Sequence, residues 1–219
     1  CVLIGAKGGL VEDCTITNNV GNSSSGAGVC FEKGSKGVLR RCTIGGNSGG
    51  DLGGGIYVPT GGGGVIDDCL ILDNSARYGG GFYVNGATEV TNCTFDSELY
   101  LEKEWSGGHF VNCYVSRRTI YARDGKVLDE DQDTTFNYCA SSSIAWPKGV
   151  SNIKVSPGFV DSANKDYHLK KSSLLRKAGL ATPLLVGLKD RDGNARLANG
   201  AVDIGCYQTP NPGLLLLVR

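Results

Sequence analysis

The chain repeats one hydrophobic pattern six times: a large apolar residue, Cys three positions later, and usually a second apolar residue two beyond that. The copies are Val11–Cys14–Ile16, Leu39–Cys42–Ile44, Ile66–Cys69–Ile71, Val90–Cys93–Phe95, Phe110–Cys113–Val115 and a degraded Phe136–Cys139–Ser141. Their first positions step by 28, 27, 24, 20 and 26 residues, within the range that marks stacked structural repeats. A second pattern alternates with the first. Gly28-Val29-Cys30-Phe31, Gly55-Ile56-Tyr57-Val58 and Gly81-Phe82-Tyr83-Val84 each open on glycine and continue as a short β-type segment. No helical 3.6-residue period runs through either pattern, so the expected elements are short strands divided by turns.

The spacing inside each repeat predicts its geometry. Cys and the apolar residue two later lie on one face of a strand. A three-residue step breaks that alternation, so both of its ends point inward only if the chain bends between them. Glu12-Asp13, Asp67-Asp68 and Thr91-Asn92 fill the interval with turn formers. Asn19, Asn47 and Asn74 each fall eight residues after their repeat's first position, as a ladder of stacked amides would require. These features together predict an all-β, right-handed parallel β-helix, its coils about 4.8 Å apart. Coils are expected over residues 1–150, and a small C-terminal capping or anchor-type region over 151–219, where the Cys pattern stops. A short helix near Leu174–Ala178 is also expected.

Composition narrows the function classes. Lys+Arg 22 against Asp+Glu 22 gives a formal net charge of +0, so no basic field is present to hold nucleic acid. The one strongly apolar run, Leu214–Val218, is too short to span a bilayer. The 219 residues hold nine Cys and no Met. Without the initiator, and with Cys1 leading straight into Val2-Leu3-Ile4-Gly5, the sequence reads as part of a longer or processed protein. The Cys set lacks the clustering and His partners of a metal site. Its members are expected as free, buried thiols lining the core.

From Asp166-Tyr167-His168-Leu169 through Ser172-Ser173, Ala178-Gly179 and Asp190-Arg191-Asp192-Gly193-Asn194-Ala195-Arg196 to Val202-Asp203-Ile204-Gly205-Cys206-Tyr207, the chain resembles the C-terminal region of secreted bacterial β-helix proteins of the choice-of-anchor Q type. The upstream coils resemble the generic pectin-lyase-like β-helix. The resemblance implies a secreted or bacterial cell-surface protein, presented outside the cell alongside other segments of a larger surface protein.

Stacking the repeats gathers candidate chemistry. Asp73, Asp96, Glu98, Arg117 and Arg118 fall along one edge of neighbouring coils, a set suited to acid–base work in a polysaccharide lyase or glycoside hydrolase. A surface ion-pair ladder is the plainer reading. Asp67-Asp68 with Gly107-Gly108-His109 faintly resembles a polygalacturonase pattern, although a bend accounts for Asp68. Tyr57 and Tyr83, with Tyr78 nearby, are expected to face outward, either as a platform for sugar rings or a partner protein or as a face covered by a loop from a neighbouring segment. Asp129, Asp131 and Asp133 are weak candidates for Ca2+. The Asp190–Asn194 loop is expected to be a tight turn, its carboxylates on backbone amides and on Arg196. The reading that emerges is a module for adhesion or contact with a polysaccharide or surface glycan, without catalysis in this stretch. A carbohydrate-active enzyme and a structural stalk or spacer are the alternatives.

Overall fold

The computed structural model describes residues 1–21, 25–102, 107–116, 134–143 and 149–210. Three parallel sheets form the walls of a solenoid. The first stacks Val2–Ile4, Val29–Phe31, Ile56–Val58, Phe82–Val84 and Leu99–Leu101. The second stacks Leu10–Glu12, Val38–Arg40, Gly63–Asp67, Ala87–Thr91, Gly108–Val111 and Thr135–Asn137. The third begins at Thr15–Thr17 and ends with Ala140–Ser141 and Ile153–Lys154, so its last rung extends slightly beyond residue 150.

Each repeat residue occupies the position its spacing predicts. Leu39, Cys42 and Ile44 stack under Ile66, Cys69 and Ile71, then under Val90, Cys93 and Phe95, and all nine are fully buried. The bend between second and third sheets is made by the residue just before each Cys. Asp13, Arg41, Asp68, Asn92, Asn112 and Tyr138 all adopt left-handed backbone, with φ of 47–56°. Asn and Asp tolerate that conformation best, which explains the turn formers in the interval. A second left-handed corner, at Asn18, Gly46 and Asp73, precedes the amide ladder. There Asn19 Nδ2 donates to Asn47 Oδ1 at 2.8 Å, and Asn47 Nδ2 to Asn74 Oδ1 at 2.9 Å. The Gly-led strands pack directly beside this ladder. A Cβ on Gly55 would lie 2.8 Å from Asn74 Nδ2 and 2.5 Å from the Gly81 carbonyl, so the leading glycine is required by contact.

The C-terminal region runs along the flank of the solenoid and seals the outer face of the third sheet. A hairpin of Phe159–Asp161 and Asp166–Leu169 lays Phe159 and Tyr167 against Leu70, Leu72 and Tyr114. The segment is then fastened to three successive corners. Arg196 meets Asp68 at 2.8 Å and donates to the Asn92 carbonyl at 3.3 Å. The Asn112 amide group bonds Leu180 N at 2.6 Å and Leu180 O at 3.2 Å, and its carbonyl accepts from Gly205 N at 2.9 Å. Residues 174–178 form turns instead of the expected helix, with only Leu175 of this stretch driven into the core.

Candidate functional site

The stacked register brings Asp73 and Asp96 to one edge as expected, and the C-terminal hairpin then occupies them. Lys165 Nζ lies 2.6 Å from Asp73 Oδ2. The Tyr167 hydroxyl donates to Asp96 Oδ2, and burial followed by this carboxylate raises the phenol's pKa. Asp73 itself sits at the left-handed corner held by Asn18 and Gly46 in earlier coils, so the backbone already explains a small polar residue there. Glu98 accepts from Gly80 N at 3.2 Å. Asp73 stays half-exposed in its pair with Lys165, as a surface ion pair does, while Asp96 is engaged by the buried Tyr167. Arg117 and Arg118, like Asp129, Asp131 and Asp133, lie outside the described residues.

On the first sheet, Leu3, Cys30, Tyr57, Tyr83 and Tyr100 form one outward row in strand register. The rings stack along it, Tyr57 to Tyr83 at 5.7 Å and Tyr83 to Tyr100 at 5.1 Å with only 10° between planes. Tyr78 meets Tyr100 edge-on at 5.5 Å, and the Arg77 guanidinium lies 5.2 Å from the Tyr78 ring centre. The exposed platform expected of Tyr83 is corrected: Tyr83 and Tyr100 are each 3% exposed. Tyr83 donates its hydroxyl to buried Glu102. Burial, reinforced by Glu102, pushes the Tyr83 phenol up. Tyr57 and Tyr78 keep part of their surface open. Sequence reasoning missed Tyr100 because Glu98-Leu99-Tyr100-Leu101 lacks the leading glycine. Its apolar–Tyr–apolar pattern was the available signal.

Asp67 and Asp190 hold structural contacts. Asp67 accepts from Arg40 Nε at 3.2 Å, Thr91 Oγ1 at 2.6 Å and Asn92 Nδ2 at 3.1 Å. Exposed His109 bonds Thr135 at 2.9 Å, and among the described residues no contact joins it to Asp67. Asp190 caps its own loop, taking the amides of Asp192, Asn194 and Gln208 at 3.0, 2.7 and 2.7 Å. The tight turn is therefore as expected, but Arg196 pairs with Asp68 and not with this loop. His168 lies between Asp166 and Asp192, at 2.5 and 2.6 Å from its two ring nitrogens, and stacks on Tyr207 at 4.1 Å. Partial burial opposes charge on this ring, but the two carboxylates outweigh it and the pKa rises above 6.5.

Among the described residues no group of three or more His, Cys, Asp or Glu is placed to hold a metal ion, and no helix is long and apolar enough to cross a membrane. All nine cysteines are free. Cys69, Cys93 and Cys113 point their thiols at the carbonyls of Leu39, Ile66 and Val90 in the coil below, at 3.5–3.6 Å. Burial raises their pKa values well above the usual thiol range, which suppresses the thiolate that reactivity and metal binding require.

The repeat, the three parallel walls and the inward Cys column agree with the sequence comparison. The family model described as "Right handed beta helix region" matches residues 1–120, more than half of the 219 residues. The chain belongs to the right-handed β-helix family. No curated protein and no solved structure matches it. As a right-handed β-helix it presents three outer faces. The third is sealed by the chain's own C-terminal region, and the first carries the partly open tyrosine row.

Proposed function

We propose that this β-helix is a secreted or cell-surface module that contacts polysaccharide through Tyr57 and Tyr78 and does not turn it over. The observation that carries the reading is the tyrosine stack. Tyr83 and Tyr100 are buried and Tyr83 is tethered to Glu102, which holds the neighbouring half-open Tyr57 ring in a fixed orientation. A pre-oriented aromatic face loses little conformational freedom when a sugar ring stacks on it. Binding without turnover is supported by Asp96 being held by the Tyr167 hydroxyl and Asp73 being paired with Lys165.

The test is binding of neutral polysaccharides such as amylose and xylan by affinity electrophoresis, with product release followed in parallel. Retardation lost in Tyr57→Ala/Tyr78→Ala, with no products formed, is the expected result. Unchanged retardation in that variant removes the tyrosine reading. Product release that disappears in Asp73→Asn/Asp96→Asn would establish the carbohydrate-active enzyme instead.

A further inference from the structure

The aromatic row on the first sheet carries a proton acceptor at its centre. Tyr83 donates its hydroxyl to Oε2 of Glu102, and with these residues 3% and 9% exposed water has little access to that proton. Burial, then Glu102, pushes the phenol up, so the resting proton stays on Tyr83. The Tyr83 ring lies between two other phenols, Tyr57 at 5.7 Å and Tyr100 at 5.1 Å, the latter nearly parallel. Tyr57 continues the row to partly exposed surface beside Cys30, its register partner. Tyr78 also reaches the surface and meets Tyr100 at 5.5 Å, but the Arg77 guanidinium lies 5.2 Å from its ring centre and opposes a second positive charge there. Tyr167 and Asp96 make a second phenol–carboxylate pair. The ring packed against Tyr167 is that of Phe159, which gives up an electron less readily than a phenol.

We infer that the tyrosine row is a one-electron relay, carrying an oxidising equivalent from an oxygen-centred radical at Tyr57 to Tyr83, with Glu102 as the proton acceptor. The relay goes beyond polysaccharide contact and does not depend on it. Loss of an electron makes a phenol O–H strongly acidic, and a buried cation radical is costly unless that proton leaves. Tyr83 has both a carboxylate within hydrogen-bond reach and a neighbouring phenol that leads to the surface. With a peroxyl radical as oxidant, one electron passes from Tyr83 through Tyr57 to the radical. The Tyr83 O–H bond breaks, and its proton moves along the existing hydrogen bond to Glu102. The products are a neutral tyrosyl radical, a neutral Glu102 carboxylic acid and a hydroperoxide anion, which takes a proton from water. The same step discharges a buried carboxylate, which burial favours.

The experiment generates tris(bipyridine)ruthenium(III) by flash photolysis beside the full chain and follows the neutral tyrosyl radical by transient absorption and electron paramagnetic resonance. The parent should form the radical, and more slowly in deuterium oxide, because the phenol proton moves with the electron. Tyr83→Phe, which has no phenol proton, and Glu102→Gln, which is a far weaker base, should each slow its formation roughly 100-fold, the lower end of what a positioned proton acceptor contributes. Tyr57→Phe should slow it as well by removing the surface phenol, while Tyr167→Phe should match the parent. No radical in the parent overturns the inference, as does a parental rate in Tyr83→Phe, Glu102→Gln or Tyr57→Phe. Loss of the radical in Tyr167→Phe assigns it to the other pair and also overturns it. The isotope effect needs no variant, so equal parental rates in the two solvents overturn the inference even where a variant fails to fold.

Discussion

Asp68 and Arg196 meet at 2.8 Å with 1% and 0% of their side chains exposed, joining a left-handed corner of the solenoid to the C-terminal region that covers its flank. The contact is an ion pair without hydrogen-bond alignment at Asp68, and Arg196 Nε and Nη1 find no protein acceptor. Burial drives the Asp68 carboxyl well up, against the pull of Arg196. Each member is thus tolerable mainly because the other is present.

Removing one partner strands a buried charge. Asp68→Asn keeps a side chain suited to the left-handed φ of 51° and should lower stability by about 3–5 kcal/mol in urea unfolding. Arg196→Met should also destabilise, and additionally releases the Gly205 and Asn92 carbonyls. The double variant should be more stable than the sum of the single losses implies. Strict additivity would show that the pair is not coupled.

Stability should depend on pH through His168. Its folded-state pKa is raised above the ordinary 6.5, so the stabilisation is fully present below 6.5 and is lost as pH rises through the folded value. The urea midpoint should therefore fall as pH is raised above 6.5. His168→Gln, which cannot titrate, should flatten that slope. A parental slope that persists in the variant assigns the dependence to another group.

The cysteines should divide by accessibility. With a thiol-reactive disulfide reagent, exposed Cys1 and Cys14 should react first and Cys30 more slowly, its thiol pushed up by burial and then by Glu32. Cys42, Cys69, Cys93, Cys113, Cys139 and Cys206 are buried and should react only after unfolding. Mass spectrometry of the labelled peptides checks the assignment. Native-state labelling of Cys93 at the rate of Cys14 would contradict an inward Cys column.

The coils were legible because their signals are local and repeated. The Cys step, the turn formers at Asp13, Asp68 and Asn92, and the Asn19–Asn47–Asn74 ladder each recur at a shared interval that stacking enforces. What covers the coils was not legible. Asp73 and Asp96 were placed on one edge correctly, but Lys165 and Tyr167 reach them from a segment outside the repeat, and nothing periodic announces such a contact. The same holds for Arg196, whose partner across the fold is Asp68 and not the nearer Asp190 loop. Tyr83 points to the face its alternation predicts, yet it is buried there and bonded to Glu102, because pattern fixes direction and not exposure.

The fastening of Arg196 to Asp68 and Asn92, and of Leu180 and Gly205 to Asn112, has a mechanical consequence. A bare stack of coils holds each turn only to its neighbours, so it can peel one rung at a time. A segment tied to three consecutive corners shares the load among them, and no single coil in that span can be drawn away before the tie itself gives. For a β-helix exposed to shear, resistance to tearing would then reside in the flank segment more than in the ladder it covers.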